Sequence, residues 1–238
     1  MGEGLTGFGP IAEAYDRWYE TPEGKDIFNA ELKCLRSLRG QGHGQWLEVG
    51  VGTGRFARSL GIAKGIDPSP RMLEIAASRG IGTYEGSAEN LPFLESSFDG
   101  VLMALTLCFV ANAEQALKEC RRVLRPDGRF LLGTVPADSP WGREYIEKAS
   151  KNHPVYALAH FRTAAKTVEL AQNAGFALIL AASTIFWKPG EEPRPQPRVE
   201  KGIVSEAGFV GLLFEKSSRK SSSGNDSEGE VGHPNQWF

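Results

Sequence analysis

Three glycines at alternating positions, Gly50-Val51-Gly52-Thr53-Gly54, follow the apolar run Gln45–Val49 and precede an amphipathic segment, Arg55–Leu60. No other feature limits the fold as much. Residues without a Cβ let a strand turn tightly into a helix and let a ligand approach the backbone. That handover is where open α/β sheets hold ligands, and the helix start beyond it offers unpaired amides to an anionic group.

The same alternation continues downstream. Lys64–Asp67, Gly82–Glu85, Phe98–Ala104 and Arg129–Val135 read as strands. Ser69 is a fitting N-cap and Pro70 a fitting first residue for a helix ending near Gly80. Ala116, Leu117, Cys120 and Leu124 form one stripe of a helix over Ala113–Leu124, stopped by a turn at Pro126-Asp127-Gly128. Another helix, Thr163–Ala174, ends at Gly175. Five alternating units predict a mostly parallel sheet covered on both faces. The last apolar runs, Phe176–Phe186 and Gly208–Glu215, are separated by Pro189–Arg198, with four prolines in ten residues. A stiff non-helical connection predicts an antiparallel pair, so a hairpin is expected at one edge of a mixed sheet. Residues 217–238 are serine, glycine and charge with little to bury, and are expected to be a disordered tail after a single domain over 1–216.

Charge argues against nucleic acid as partner: 27 basic residues stand against 29 acidic ones, a net −2 without the basic excess that phosphate neutralisation uses. Cys34, Cys108 and Cys120 have neither CxxC nor Cys/His spacing, which speaks against a disulfide framework or a structural metal. No run reaches the roughly 18 apolar residues of a membrane span. Met1–Pro10 lacks a signal peptide's charged and apolar regions. The expectation is a soluble, cytoplasmic protein without a metal site.

A dinucleotide would need Gly or Ala at position 55, where the chain has Arg55. Glu48 is a second objection, because a carboxylate about 5 Å from a pyrophosphate costs roughly 3 kcal/mol per charge pair. It suits a ligand with positive charge. Asp67, 17 residues after Gly50 at the end of the second strand, can accept bonds from both hydroxyls of a ribose; alone it reads better as a helix cap or turn aspartate before Pro68, and its spacing from the glycine turn is what favours the ribose role. Gly86-Ser87-Ala88-Glu89-Asn90-Leu91-Pro92-Phe93 offers polar groups for an adenine edge and apolar ones for its faces.

Taken in order, Glu48–Gly54, Gly65-Ile66-Asp67-Pro68-Ser69 with Met72-Leu73, Gly86–Phe93, Ser97-Phe98-Asp99 and Arg122-Val123-Leu124-Arg125-Pro126-Asp127-Gly128 resemble the successive motifs of class I S-adenosylmethionine-dependent methyltransferases. The resemblance runs from about Tyr15 to Lys216 and is strongest to the small-molecule subgroup that includes ubiquinone/menaquinone-biosynthesis-type enzymes. It implies a Rossmann-like three-layer α/β/α sandwich with a mostly parallel seven-stranded sheet and an antiparallel edge hairpin. It also implies S-adenosylmethionine as cofactor. Gly50, Gly52, Thr53 and Gly54 would hold its methionine portion and Glu48 would organise the ammonium end. Asp67 would take the ribose hydroxyls, with Pro68 in the same turn and Met72 packing beside the nucleoside. Ser87 and Ala88 would meet the adenine, with Glu89 next to them. Ala104 would face the methionine moiety, and Tyr15 would lie in a segment folding over the cofactor. Ser87 stands where an aspartate is frequent, and Asp127 where glycine is common.

The implied reaction is methyl transfer to a small molecule by in-line displacement; a non-catalytic cofactor-binding protein or partner subunit is the alternative. No catalytic residue stands out. Cys108 reads better as a small buried hydrophobe and His153 as a surface-loop residue, and His160 reads at least as well as a structural histidine. Acceptor specificity is expected in Pro136–Arg162, in the N-terminal segment with Trp18, Tyr19 and Phe28, and in the proline-rich loop. Their aromatics suit an apolar or planar acceptor, although core packing would also explain them. Met103-Ala104-Leu105-Thr106 is not the Asn/Asp-Pro-Pro-Tyr pattern of amino-methylating adenine or glutamine enzymes, and Cys108 is not preceded by proline as in cytosine-carbon enzymes. The oligomeric state is not legible.

Overall fold

A computed structural model describes residues 6–40, 44–193 and 197–217. The expected tail from 218 onwards lies outside the described residues, as do residues 194–196 of the proline-rich segment.

A short 3-10 helix, Thr6–Ile11, is the first described element, followed by α1 (Ala12–Trp18) and α2 (Pro22–Arg39). There follow β1 (Trp46–Val49), α3 (Arg55–Leu60), β2 (Lys64–Asp67), α4 (Pro70–Ser78), β3 (Gly82–Glu85) and β4 (Phe98–Ala104). The remainder is α5 (Ala113–Val123), β5 (Leu124–Thr134), α6 (Pro140–Ser150), α7 (Ala164–Asn173), β6 (Phe176–Thr184), β7 (Glu200–Lys201) and β8 (Phe209–Lys216).

The strands order as β3-β2-β1-β4-β5-β8-β6-β7. The first five are parallel; β8 runs antiparallel to both β5 and β6. Eight strands replace the expected seven because β7, two charged residues long, pairs with Ala182 and Ser183. A segment that short carries no period. The expected antiparallel pair, β6 with β8, stands at this end of the sheet, with β8 inserted between β5 and β6 and the two-residue β7 flanking β6 outermost.

Alternation along the strands divides the core between two layers. Val101 and Met103 of β4, with Phe130 and Leu132 of β5, meet Ala116, Leu117 and Cys120 of α5. Leu102, Ala104 and Leu131 face the other way, toward Ile27 and Leu35 of α2 and Phe56 of α3.

Caps set the helix starts. The Ser69 hydroxyl accepts from the Met72 amide, as the sequence suggested, and the Thr163 hydroxyl accepts from the Lys166 amide, so that Thr163 is the cap rather than the first residue of its helix. Two helices that the sequence reading passed over are capped in the same way: Thr21 accepts from Gly24, and Ser139 accepts from Gly142. Each is followed by proline at the first helical position, the favoured place for a residue without an N–H. The expected turn at Pro126-Asp127-Gly128 is instead a bulge. Phe98 pairs with Leu124 and Gly100 with Arg129, so the residues between are extruded from the ladder, where a proline costs no strand bond.

Among the described residues no helix is long and apolar enough to cross a membrane.

Phe130 is fully buried and stacks on Phe176 at 4.9 Å and Phe214 at 5.9 Å, tying β5, β6 and β8 together. Phe130→Ala should cost about 3–5 kcal/mol in a urea titration; a loss below about 1 kcal/mol would mean that this layer does not carry the sheet.

Candidate functional site

The β1–α3 loop is tied to the neighbouring strand before any ligand is considered. The Gly50 and Val51 amides both donate to the Ile66 carbonyl, at 2.8 and 3.0 Å. Gly50 has φ +73°, and a Cβ there would come within 2.1 Å of the Thr106 side chain, so glycine is obligatory. The Gly52 amide donates to Asp67 Oδ2 and the Ser69 amide to Oδ1, each at 2.9 Å. These bonds fix the Asp67 carboxylate at the mouth of the loop. Burial pushes its pKa up, against the two amides that favour the charged form.

Loop and carboxylate line one cleft of about 80 Å³. Its wall includes eight of the residues singled out from the sequence: Tyr15, Gly50, Gly52, Asp67, Pro68, Met72, Ala88 and Ala104. Phe8, Leu105, Thr106 and Phe109 also line it and were not foreseen. Leu105 holds φ +56°, a strained value for a branched side chain, as β4 exits over the cleft.

Glu48, Thr53, Gly54, Ser87 and Glu89 are absent from that wall. Glu48, 1% exposed, lies on the face of β1 turned to α3, and its Oε2 has no partner. Burial holds its pKa well above the ordinary carboxylate value, and the Asp67 charge adds to the rise. Thr53 is buried, with its carbonyl taken by Arg79. Gly54 is the left-handed N-cap of α3, packed against Ala76. The Ser87 carbonyl is turned into a local turn with Asn90. Glu89 accepts from the Asn112 amide ahead of α5. A glycine cradle, a fixed carboxylate at its mouth and an orphaned buried carboxyl behind it suit a ligand that brings hydroxyls and positive charge, and so fit S-adenosylmethionine.

A lid closes this cleft. Asp16 of α1 takes Arg55 Nε and Arg79 Nη2, each at 2.8 Å, and Arg55 also reaches Glu20 at 2.8 Å. Burial opposes ionisation of Asp16, but the guanidiniums outweigh it and hold the carboxyl at about 2. Arg55, which excluded a dinucleotide fingerprint, is thus a rivet for the N-terminal segment. Phe8 then packs edge-on against Phe109 at 5.0 Å and Tyr15 at 6.0 Å, and the Tyr15 and Tyr19 hydroxyls meet at 3.0 Å.

Beyond the lid lies a larger cavity of about 470 Å³ that shares Phe8, Tyr15, Leu105 and Phe109 with the cleft. Trp18, Tyr19, Trp141, Tyr145, Tyr156 and Phe161 supply aromatic walls. They come from the two segments expected to set specificity. Phe28 stays outside, packed on Phe56 at 5.0 Å, and no described residue of Pro189–Arg198 reaches the wall.

His153, half-buried in the loop after α6, also lines the cavity, and its Nδ1 accepts from the Val155 and Tyr156 amides. His160 does not line it. Cys108 does, with burial pushing its thiol up to about 12. Glu31 of α2, 3% exposed, also faces the cavity, and burial pushes its carboxyl up to about 8. Its only sequence signal was a charged residue inside the apolar stripe Ile27, Cys34, Leu35, Leu38.

The sequence matches the methyltransferase domain family over residues 47–132. An S-adenosylmethionine-dependent methyltransferase structure from Thermotoga maritima, described as a possible histamine N-methyltransferase, is 36% identical with a TM-score of 0.83, covering 90% of this chain and all of that one. An uncharacterized protein of Mycobacterium tuberculosis is 38% identical over 204 residues, 86% of this chain and 72% of its own length. The ubiquinone/menaquinone biosynthesis C-methyltransferase of Klebsiella pneumoniae is 29% identical over 198 residues, 77% of this chain and 72% of its own length.

Glu31 keeps its proton in the folded chain up to about pH 8, whereas in the unfolded chain it ionises from 4.5. The unfolded state therefore binds fewer protons across that window, and stability falls as pH rises through it. Glu31→Gln should match the wild type near pH 5 and melt several degrees higher at about pH 8.5. Scanning calorimetry giving the same difference at both pH values would refute the ionisation account.

Proposed function

The chain belongs to the class I S-adenosylmethionine-dependent methyltransferases, and from that premise we propose that it methylates a small molecule held in the aromatic cavity. The observation that carries this reading is the shared wall. The cleft bounded by the glycine turn and Asp67 and the larger cavity have Phe8, Tyr15, Leu105 and Phe109 in common in their walls. A volume near 470 Å³ falls in the range of small-molecule pockets, about 300–1,000 Å³. The Thermotoga and Klebsiella relatives are also named for small-molecule methylation.

Within the cleft, Gly50 and Gly52 would receive the methionine portion of the cofactor and Asp67 the ribose hydroxyls. Pro68, Met72 and Ala88 would pack on the nucleoside, and Ala104 would face the sulfur side. Glu48, Thr53 and Gly54 would act from beneath, by shaping the loop, and Ser87 and Glu89 by holding the turn that presents Ala88. S-adenosylmethionine, when bound, supplies an electrophilic methyl group with a neutral thioether as leaving group.

The chain's own contribution is then positional. Holding an acceptor in line with the methyl is worth up to about 7–11 kcal/mol, and no acid–base dyad is required for it. Phe8, Tyr15 and Phe109 exclude water from the junction. The cavity's phenols and thiol are not poised as bases. Burial raises Tyr15, Tyr19 and Tyr145 above the ordinary phenol range, and holds Tyr156 at about 12 and Cys108 at about 12. Acceptors that attack without first losing a proton suit this wall best.

Incubation with methyl-labelled S-adenosylmethionine and a metabolite extract should transfer label to a low-molecular-weight product. Tight cofactor binding without transfer would favour the non-catalytic alternative instead. Asp67→Ala should weaken S-adenosylhomocysteine binding by about 10- to 100-fold in calorimetry, the loss of a charge-assisted contact worth roughly 1–3 kcal/mol. Unchanged affinity in a folded variant would remove Asp67 from the cofactor site.

A further inference from the structure

The larger cavity carries an acid for which the chain supplies no partner. Glu31 sits on the buried stripe of α2, where an aliphatic residue would satisfy packing, and its buried Oε2 makes no hydrogen bond. Burying a carboxyl in this way is costly unless something pairs with it. Among the described lining residues Lys148 is the only lysine or arginine, and it is engaged with Glu144 at 3.2 Å and lies 5.8 Å from the centre of the Tyr145 ring. His153 turns its Nδ1 to backbone amides, and Glu23 adds a second carboxyl to the same wall. The other titratable groups near Glu31 are the phenols of Tyr15, Tyr19, Tyr145 and Tyr156 and the Cys34 thiol, all of which its charge pushes further toward the neutral form.

We propose that Glu31 anchors a cationic nitrogen of the methyl acceptor, so that the substrate is a basic amine with a flat or apolar body and not a neutral quinone or phenol. This rests on the cavity being the acceptor site. The surroundings are those that recognise such a cation: a carboxylate for a charge-assisted hydrogen bond, and the rings of Trp18, Tyr19, Trp141 and Tyr145 for its apolar body and its charge. Glu31 grips the acceptor from α2, and the atom to be methylated is presented where Phe8, Tyr15 and Phe109 join the two spaces. Because burial keeps the empty carboxyl protonated up to about 8, capture of a cation at neutral pH drives that proton off.

The test uses the full chain saturated with S-adenosylhomocysteine and titrated calorimetrically with matched pairs: tryptamine against indole-3-ethanol, phenethylamine against 2-phenylethanol, and cyclohexylethylamine against its alcohol. At least one amine should bind about tenfold or more tightly than its alcohol, and should release a proton that the alcohol does not. Glu31→Gln should erase that preference, weakening the amine about tenfold while the alcohol changes less than about twofold; Glu31→Asp should restore part of it. S-adenosylhomocysteine affinity, measured first in every variant, reports that the fold and the cofactor site are intact. If no amine outbinds its alcohol, including the case in which none binds, or if Glu31→Gln leaves the preference standing, Glu31 is not the anchor. Failure of the wild type to bind S-adenosylhomocysteine would instead strike the proposed function.

Discussion

The hydrogen bond from the Gly52 amide to Asp67 joins the two ends of the site before any ligand arrives. It links the loop after β1 to the end of β2, and the Ile66 carbonyl takes two further amides from the same loop. Parallel pairing of Val49 with Ile66 puts those two strand ends side by side. Everything else in the cleft is arranged around this fixed corner. Met72 descends from α4, whose cap Ser69 also donates to Asp67, and Thr106 fills the space that a Cβ on Gly50 would occupy. A carboxylate that accepts two backbone amides is rigid, and rigidity is what a nucleoside site requires of its acceptor.

Much of the sheet was legible because strong local signals agreed with the tertiary answer. The limits of α3, β2, β3 and β4 coincide with those expected from glycine turns, caps and apolar runs. What escaped had weak or conflicting signals. β7 is two charged residues held by their neighbours, and the Pro-Asp-Gly segment bulges because β4 continues to pair on both sides of it. The smaller cleft was legible in its loop and carboxylate, whose chemistry is local. Phe8, Leu105, Thr106 and Phe109 were not, since only the fold brings an N-terminal turn against the exit of β4. Arg55 is the instructive case: its charge was visible, but its partner Asp16 lies 39 residues away in sequence.

The acceptor side was legible only as segments. Trp141, Tyr145, Tyr156 and Phe161 were marked as candidates, while the helix opposite them, α2, carries the residue that sets the cavity's electrostatics. Glu31 and Glu48 are two buried carboxyls with an unpartnered oxygen, one under each space. Groups of this kind lower the stability of the empty fold and are retained where binding needs them.

The four residues common to both spaces have a thermodynamic consequence. An occupant that orders Phe8 and Tyr15 would leave the second arrival less conformational freedom to lose than the first. Two ligands coupled in that way would tighten each other by the same factor, as reciprocity requires.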